Sequence, residues 1–299
     1  MSCVKTAFVL GAGLGKRLRP LTDSRPKPLI PIFNKPLITF AMDHLIAAGV
    51  ERFVINTHHL AEQFDAMFAC GEYRGCPVKL VFEQVLLETG GGIKNAEAWI
   101  GHEPFIVHSG DILTDIDIGA LVDAHFRDGN EVTMALRDTG LASGVTLDGD
   151  RVTDFRGRYS APGTKHDFAN VSVWNAGIYE RIPVVEKIAF VPVLSDWLAG
   201  GVRIGGVLLN EREWFNVGSR EEYLAVHRFI EERGWRPDYM SDAAWPGAAV
   251  GKNSRIGADV MLQNTVIWDD AEIASGSRLS GCIVRDHCVA SGMHTDKDF

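Results

Sequence analysis

Residues 11 to 28 read GAGLGKRLRPLTDSRPKP and come directly after the apolar run AFVL. Gly11, Gly13 and Gly15 can take backbone conformations closed to other residues and offer successive N–H groups to an anion. Lys16, Arg17, Arg19, Arg25 and Lys27 place fixed positive charge around them. The chemistry such a turn suits is the cradling of a polyphosphate by Leu10, Gly11, Ala12, Gly13, Gly15 and Lys16. Spacing excludes two familiar cradles. The G-x-G-x-x-G fingerprint meets Lys16 or Leu18 where its third glycine belongs, and the triphosphatase P-loop meets Leu10 and Arg17 where it needs a glycine and a hydroxyl. Pro20, Pro26, Pro28 and Pro31 prevent one continuous helix after the turn, so the segment reads as a long stiffened loop. A merely solvated basic loop is the competing reading. Residues 1 to 35 hold seven Lys or Arg and one acid, a local +6 inside a chain of net charge −9, which favours an anion site.

Three further clusters could carry chemistry. LLETGGGIKNA at 86 to 96 opens a helical stretch, and its three adjacent glycines leave backbone against which a flat base can lie, beside Glu88; a helix-opening turn is the plainer reading. HSGDIL at 108 to 113 comes after the apolar PFIV, so Asp111 stands just past a strand's carboxyl end, where a hard cation could meet phosphates. Asn175 in WNAGIY and Asn216 in WFNVG each interrupt apolar sequence near a glycine. His58 and His59 have no Ser or Cys partner at a recognisable spacing and read as structural.

These residues need a scaffold that brings strand ends together. The first 230 residues alternate apolar runs with helical patterns, as an α/β chain with a mostly parallel, helix-covered sheet does. The predicted strands are 7–10, 52–56, 78–83, 105–108, 132–137, 172–178 and 203–208. KPLITFAMDHLIAAGV predicts a helix with Pro36 at its first position and Gly49 as its stop. After SREEYLAVHRFIEERG the period changes: Val250, Ile256 and Leu262, then Ile267, Ile273 and Leu279, stand six apart, the signature of a short left-handed parallel β-helix. The expected division is 1–240 for a catalytic domain and 246–299 for this tail, whose open end would assemble subunits into a homo-oligomer without contributing chemistry. An acidic chain of 299 residues without a basic tail points away from nucleic acid. With neither a signal-peptide pattern nor a membrane-length apolar run, it reads as a cytoplasmic protein with no membrane partner. Its five cysteines make no C-x-x-C pair and read as free thiols.

The whole set resembles a family. GAGLGKRLRPLTDSRPKPLIPIFNKP, ETGGGI, SGD, NAG and W-x-N-V-G occur in the order found in the sugar-1-phosphate nucleotidyltransferases, over about residues 5 to 235. The tail is similar to that of the mannose-1-phosphate guanylyltransferase branch, while LETGGGI is closer to the muramate-1-phosphate uridylyltransferase branch, which lacks one. The resemblance implies a Rossmann-like nucleotidyltransferase fold and the reaction of an NTP, UTP or GTP first, with a sugar 1-phosphate to give an NDP-sugar and pyrophosphate. It also implies roles. Arg17, Lys27 and Asp111 would be catalytic; Glu88, Gly91 and Gly110 would join the phosphate turn in binding nucleotide; Asn175 and Gly177 would meet the sugar phosphate; Mg²⁺ would sit on Asp111 and Asn216. Two departures stand out. The family's Glu-Lys-Pro lysine has no counterpart in DFRGRYSAPGTK, leaving Arg156, Arg158 or Lys165 to substitute, and Asn216 replaces a second metal-binding aspartate. A catalytically weak regulatory subunit that binds nucleotide sugars is the alternative reading.

Overall fold

The computed structural model describes residues 3–140, 144–183, 187–233, 245 and 247–299. By internal contacts the chain divides into two compact units, Met1–Leu14 with Phe40–Trp214, and Gly15–Thr39 with Phe215–Phe299. The boundary expected between 240 and 246 falls largely outside the described residues.

The first unit is built on a ten-stranded sheet. Its strands are β1 (Thr6–Leu10), β2 (Arg52–Thr57), β3 (Glu72–Tyr73), β4 (Cys76–Phe82), β5 (Phe105–Ser109), β6 (Val132–Arg137), β7 (Val145–Asp148), β8 (Arg151–Phe155), β9 (Thr164–Trp174) and β10 (Ile204–Leu208). Their order is β7-β8-β10-β6-β9-β5-β1-β2-β4-β3. The nucleus β5-β1-β2-β4 is parallel and places the carboxyl ends of four strands side by side. Phe8, Val9, Val54, Ile55, Phe105 and Ile106 are fully buried there, which is why these strands read as near-continuous apolar runs. The expectation of a mostly parallel sheet needs correction beyond this nucleus. The eleven-residue β9 runs antiparallel between β5 and β6, and β7 and β8 form an antiparallel pair at the edge. The expected helix is present as Leu37–Ala47, but Pro36, expected at its first position, instead belongs to the two-residue strand Lys35–Pro36; Gly49 takes φ 97, a conformation that favours glycine.

In the second unit, the last fifty residues form three small parallel sheets stacked in register. Val250 pairs with Ile267, Ile256 with Ile273 and Leu262 with Leu279. The six-residue aliphatic period therefore lines one continuous interior with Val284 and Ala290. Each paired residue stands 17 positions from its partner, one short of three full hexads. The corners explain the polar residues between. Asn253, Asp270 and His287 share one corner, and Asn264, Gly281 and Asp296 another, all at positive φ. Asn, Asp and Gly tolerate that backbone best, so corner chemistry repeats along with the aliphatic period.

His108 and His227 are among the buried histidines. In the second unit His227, on the helix Arg220–Glu232, donates from Nδ1 to the Tyr223 carbonyl at 2.8 Å and accepts at Nε2 from the Phe33 N–H at 3.1 Å. His108 lies within β5 of the first unit. Burial pushes each imidazole from 6.5 down to about 4. The folded chain thus holds fewer protons than the unfolded chain between pH 6.5 and 4, so this stability is complete above pH 6.5 and drains as pH falls toward 4. Each shift corresponds to roughly 3 kcal/mol. We expect the urea midpoint to fall on acidification through this window and to fall less steeply in His227→Gln, which can still accept from Phe33. An identical slope in the variant would contradict the assignment.

Candidate functional site

At the carboxyl edge of the first unit's sheet, β1 ends on Leu10, whose carbonyl accepts from the Gly110 N–H at 2.9 Å. This bond sets the phosphate turn beside the turn that carries half-buried Asp111. The next amide, Gly11, donates to Asn56 Oδ1 at 2.8 Å; Asn56 Nδ2 donates to Glu83 Oε1 at 2.8 Å; Glu83 Oε2 accepts from the Leu87 N–H at 2.9 Å. Leu87 immediately precedes the helix Glu88–Asn95, so one buried chain of bonds joins the phosphate turn to the glycine cluster. Burial pushes the Glu83 carboxyl above its usual range, and the Leu87 and Asn56 donors pull the other way. Neither Asn56 nor Glu83 was singled out by sequence. The only signals are a polar residue inside one apolar strand, Asn56, and another just past the end of a second, Glu83, and neither names a role.

The glycines divide by cause. A Cβ on Gly11 would lie 2.6 Å from the Asn56 carbonyl oxygen, and one on Gly92 would lie 2.8 Å from Glu83 Oε1, so both are glycine because the protein's own atoms crowd them. Gly90 meets the Ile188 carbonyl in the same way, at 2.9 Å. Gly13 differs: nothing lies within 4 Å of a Cβ there, and the residue is exposed, so packing does not account for it. In the triple-glycine run, packing accounts for Gly90 and Gly92, and Gly91 is buried beside them. Glu88 opens the helix at φ 60, exposed, 3.4 Å from Lys187.

Asn175 and Gly177 are not brought to this edge. β9 ends at Trp174, which pairs with Phe105 and Val132 at the starts of β5 and β6, so Asn175 lies at the opposite edge from Leu10 and Gly110. Its amide is committed to structure: Oδ1 accepts from His125 Nε2 at 3.1 Å and Nδ2 donates to the Asn130 carbonyl at 3.1 Å. Burial lowers the His125 pKa, and the hydrogen bond to Asn175 pulls the other way. The strand expected at 172–178 in fact runs from Thr164 to Trp174, and that shift moves the motif away from the edge. Asn170 stands where Asn175 was expected. It adjoins Val171, which pairs with His108 near the carboxyl end of β5, and it sits at φ 61 within an irregularity of the β9–β6 register. Lys165, exposed, is five residues further along β9, on the order of 16 Å away at strand spacing. Exposed Arg156, at φ 56, comes just after β8, its N–H on the Gly144 carbonyl at 2.6 Å.

In the second unit the rest of the signature loop folds as two short 3₁₀ turns, Lys16–Leu18 and Lys27–Leu29, with a four-residue helical turn, Leu21–Ser24, between them. Gly15 takes φ 59, and a Cβ there would meet Thr22 Cγ2 at 2.7 Å and Lys27 Cβ at 3.1 Å. The Thr22 hydroxyl donates to the Gly15 carbonyl at 3.0 Å. Lys16 and Arg17 are exposed, whereas Lys27 is only 7% exposed. The W-x-N-V-G motif meets this loop: a Cβ on Gly218 would lie 2.8 Å from Arg17 Nη2, and the Gly218 N–H bonds the Asn216 carbonyl at 2.7 Å. Arg25, read from sequence among the phosphate cations, instead pairs with Asp286 at 2.6 Å. Among the described residues no three His, Cys, Asp or Glu side chains gather as a metal cluster. The Asp111 carboxylate and Asn216 amide are oxygen donors suited to a hard cation that also takes phosphate oxygens.

A sheet whose parallel nucleus ends in a glycine turn beside a strand-end aspartate defines a nucleotide-binding α/β protein. Residues 6–233 match the nucleotidyl transferase family, and the chain belongs to it as an enzyme of the nucleotidyltransferase class. It is 31% identical over 94% of its length to a mannose-1-phosphate guanylyltransferase of Mycobacterium tuberculosis, covering 79% of that protein. It is 45% identical over 123 residues to an N-acetylmuramate alpha-1-phosphate uridylyltransferase of Caulobacter vibrioides, a match spanning 40% of this chain and 51% of that one. The fold is shared with an inositol-1-phosphate CTP transferase from T. maritima, at TM-score 0.64 and 22% identity over 77% of this chain and 96% of that one. It is shared also with a UDP-glucose pyrophosphorylase solved with UDP-glucose, at TM-score 0.65 and 19% identity over 77% and 99%.

The Asn56–Glu83 chain of bonds makes a direct prediction. Asn56→Ala leaves the Gly11 N–H and one Glu83 oxygen buried without a partner, which should destabilise the fold by about 1–3 kcal/mol for each group stranded. It should also lower kcat/KM in protein that remains folded. Denaturant titration and steady-state kinetics check both, and wild-type values in both would deny these bonds any role in the site.

Proposed function

We propose that the protein joins a nucleoside triphosphate to a sugar 1-phosphate and releases pyrophosphate, with UTP or GTP as the nucleotide. The observation that carries this reading is exposed, uncrowded Gly13 on a turn tied by the Leu10–Gly110 bond to the turn bearing Asp111. The whole-length similarity to a guanylyltransferase and the closer, partial similarity to a uridylyltransferase support the choice of base.

The sugar phosphate oxygen attacks the α-phosphorus in line with the departing pyrophosphate. Such a reaction depends on alignment and charge neutralisation and needs no protein nucleophile. Gly13 and Gly15 hold the nucleotide phosphates through backbone N–H groups, while Gly11, also assigned to the phosphates by motif, has its N–H committed to Asn56 and fixes the turn instead. Arg17 neutralises charge on the leaving pyrophosphate, and Lys27 does so at the α-phosphate. Glu88 and Gly91 serve the base. Asn170 takes over the sugar-facing role assigned by motif to Asn175. Asp111 would hold Mg²⁺, which would supply further neutralisation of phosphate charge; Asn216, the second donor by motif, offers a dipole where a carboxylate would bring full charge. We also infer that residues 246–299 form a left-handed parallel β-helix, supported by the three stacked sheets and their repeating corners.

Arg17 is exposed on a short turn, so Arg17→Ala should leave the melting temperature unchanged. Turnover should fall about a hundredfold or more, the usual effect of removing one charge-stabilising group from a transition state. Steady-state pyrophosphate release from the folded variant checks this. Wild-type kinetics would contradict the role.

A further inference from the structure

The tail was expected to carry no chemistry. In the second unit, however, it grips the signature loop at both sides of Lys27. On one side, the Arg25 guanidinium bonds Asp286 Oδ2 at 2.6 Å, with the two side chains 27% and 20% exposed, and lies 5.1 Å from the centre of the Trp268 ring. On the other, Trp268 Nε1 donates to the Tyr223 hydroxyl at 2.9 Å, and that hydroxyl donates to the Pro31 carbonyl at 2.6 Å. Arg285 also reaches the Pro20 carbonyl, at a long 3.4 Å. Pro20, Arg25 and Pro31 thus all answer to a stretch of the tail from 268 to 286.

We propose that Asp286 and Trp268 are positioning residues for nucleotide binding, fixing the Pro20–Pro31 segment and through it Gly15, Arg17 and Lys27. The mechanical link is present at each step. Thr22 and Lys27 form the surface against which Gly15 packs, and the Thr22 hydroxyl holds the Gly15 carbonyl. Gly15 in turn accepts from the Leu18 N–H at 2.9 Å, closing the turn that carries Arg17. The loop's own means of staying in place are small. Its two 3₁₀ turns are three residues each, the helical turn between them, Leu21–Ser24, is four, and its prolines remove backbone donors. A stacked, ion-paired arginine supplies an external anchor where internal bonds are few. Burial raises the Asp286 pKa, and its Oδ1 is buried without a hydrogen-bond partner, so the carboxylate depends on Arg25. Such a pair is a poor device for stability alone, because an apolar pair would serve as well. It suits a contact whose geometry matters.

This inference rests on the nucleotide reading of the loop, and its test separates the two. Hydrogen exchange of the full chain without substrate should show faster exchange at Leu18, Asp23, Leu29 and Ile30 in Asp286→Ala, by about fivefold or more, with β1 and β5 unchanged. The KM for the triphosphate should rise about tenfold, equivalent to about 1.4 kcal/mol of lost positioning, with the KM for the sugar phosphate unmoved. Asp286→Glu should restore both. If Asp286→Ala does not fold, Arg25→Lys, which keeps the charge but loses the planar stack and fork, is expected to give the same pattern. Unchanged exchange in the loop overturns the proposal, as does faster exchange with an unchanged KM for the triphosphate. A wild-type chain that turned over no triphosphate would defeat the nucleotide reading, while exchange alone would still decide whether the tail holds the loop.

Discussion

Glu83 places a carboxyl group in the interior, 1% exposed, and commits its two oxygens to donors from different elements, Asn56 on β2 and Leu87 ahead of the glycine-rich helix. Asn56 passes the connection on to Gly11. Removing any member leaves the others buried and unsatisfied, and the penalty for that exceeds the net gain of making an ordinary hydrogen bond. The arrangement therefore sets the distance between the phosphate turn and the Glu88–Asn95 helix, and it demands glycine at 11 and 92 because its own atoms occupy the space of a side chain. In the proposed site, with phosphates at one turn and a base at another, this spacer would fix their separation, since small misplacements of reacting groups are expensive.

The second half of the signature obeys a different logic. Gly15–Leu29 is held by a hydroxyl, two 3₁₀ turns and side-chain anchors, with Arg17 lying against Gly218. The segment has few backbone bonds of its own, and the tail supplies partners for Arg25 and, through Tyr223, for Pro31. The three parallel sheets of the tail bring rigidity because each paired aliphatic residue stands beside one 17 positions away and the connections repeat residues that tolerate positive φ.

Much of this was legible in sequence because the signals were local. AFVL before GAGLG and PFIV before HSGD each mark a strand and the turn at its end, and both are where they were expected; the six-residue period at 250 to 279 coincides with short parallel strands in three sheets. Long-range pairing was not legible. Arg25 looks like one more loop cation, and its partner is 261 residues away. Asn175 sits in a stretch that matches a family motif, but β9 starts eight residues earlier than its apolar pattern suggests, so the motif falls at the wrong edge and Asn170 at the right one. The sheet's mixed direction was hidden for a related reason, since an antiparallel strand buried on both faces carries the same apolar run as a parallel one.

Transfer of a nucleotidyl group to a sugar 1-phosphate is tested most directly by incubating the wild-type protein and Mg²⁺ with each of UTP, GTP, CTP and ATP against a panel of sugar 1-phosphates, while monitoring pyrophosphate. Sustained release with UTP or GTP is predicted, requiring a matching sugar phosphate and yielding the corresponding NDP-sugar. Absence of release from every pair, or release that proceeds equally well without any sugar phosphate, would contradict it.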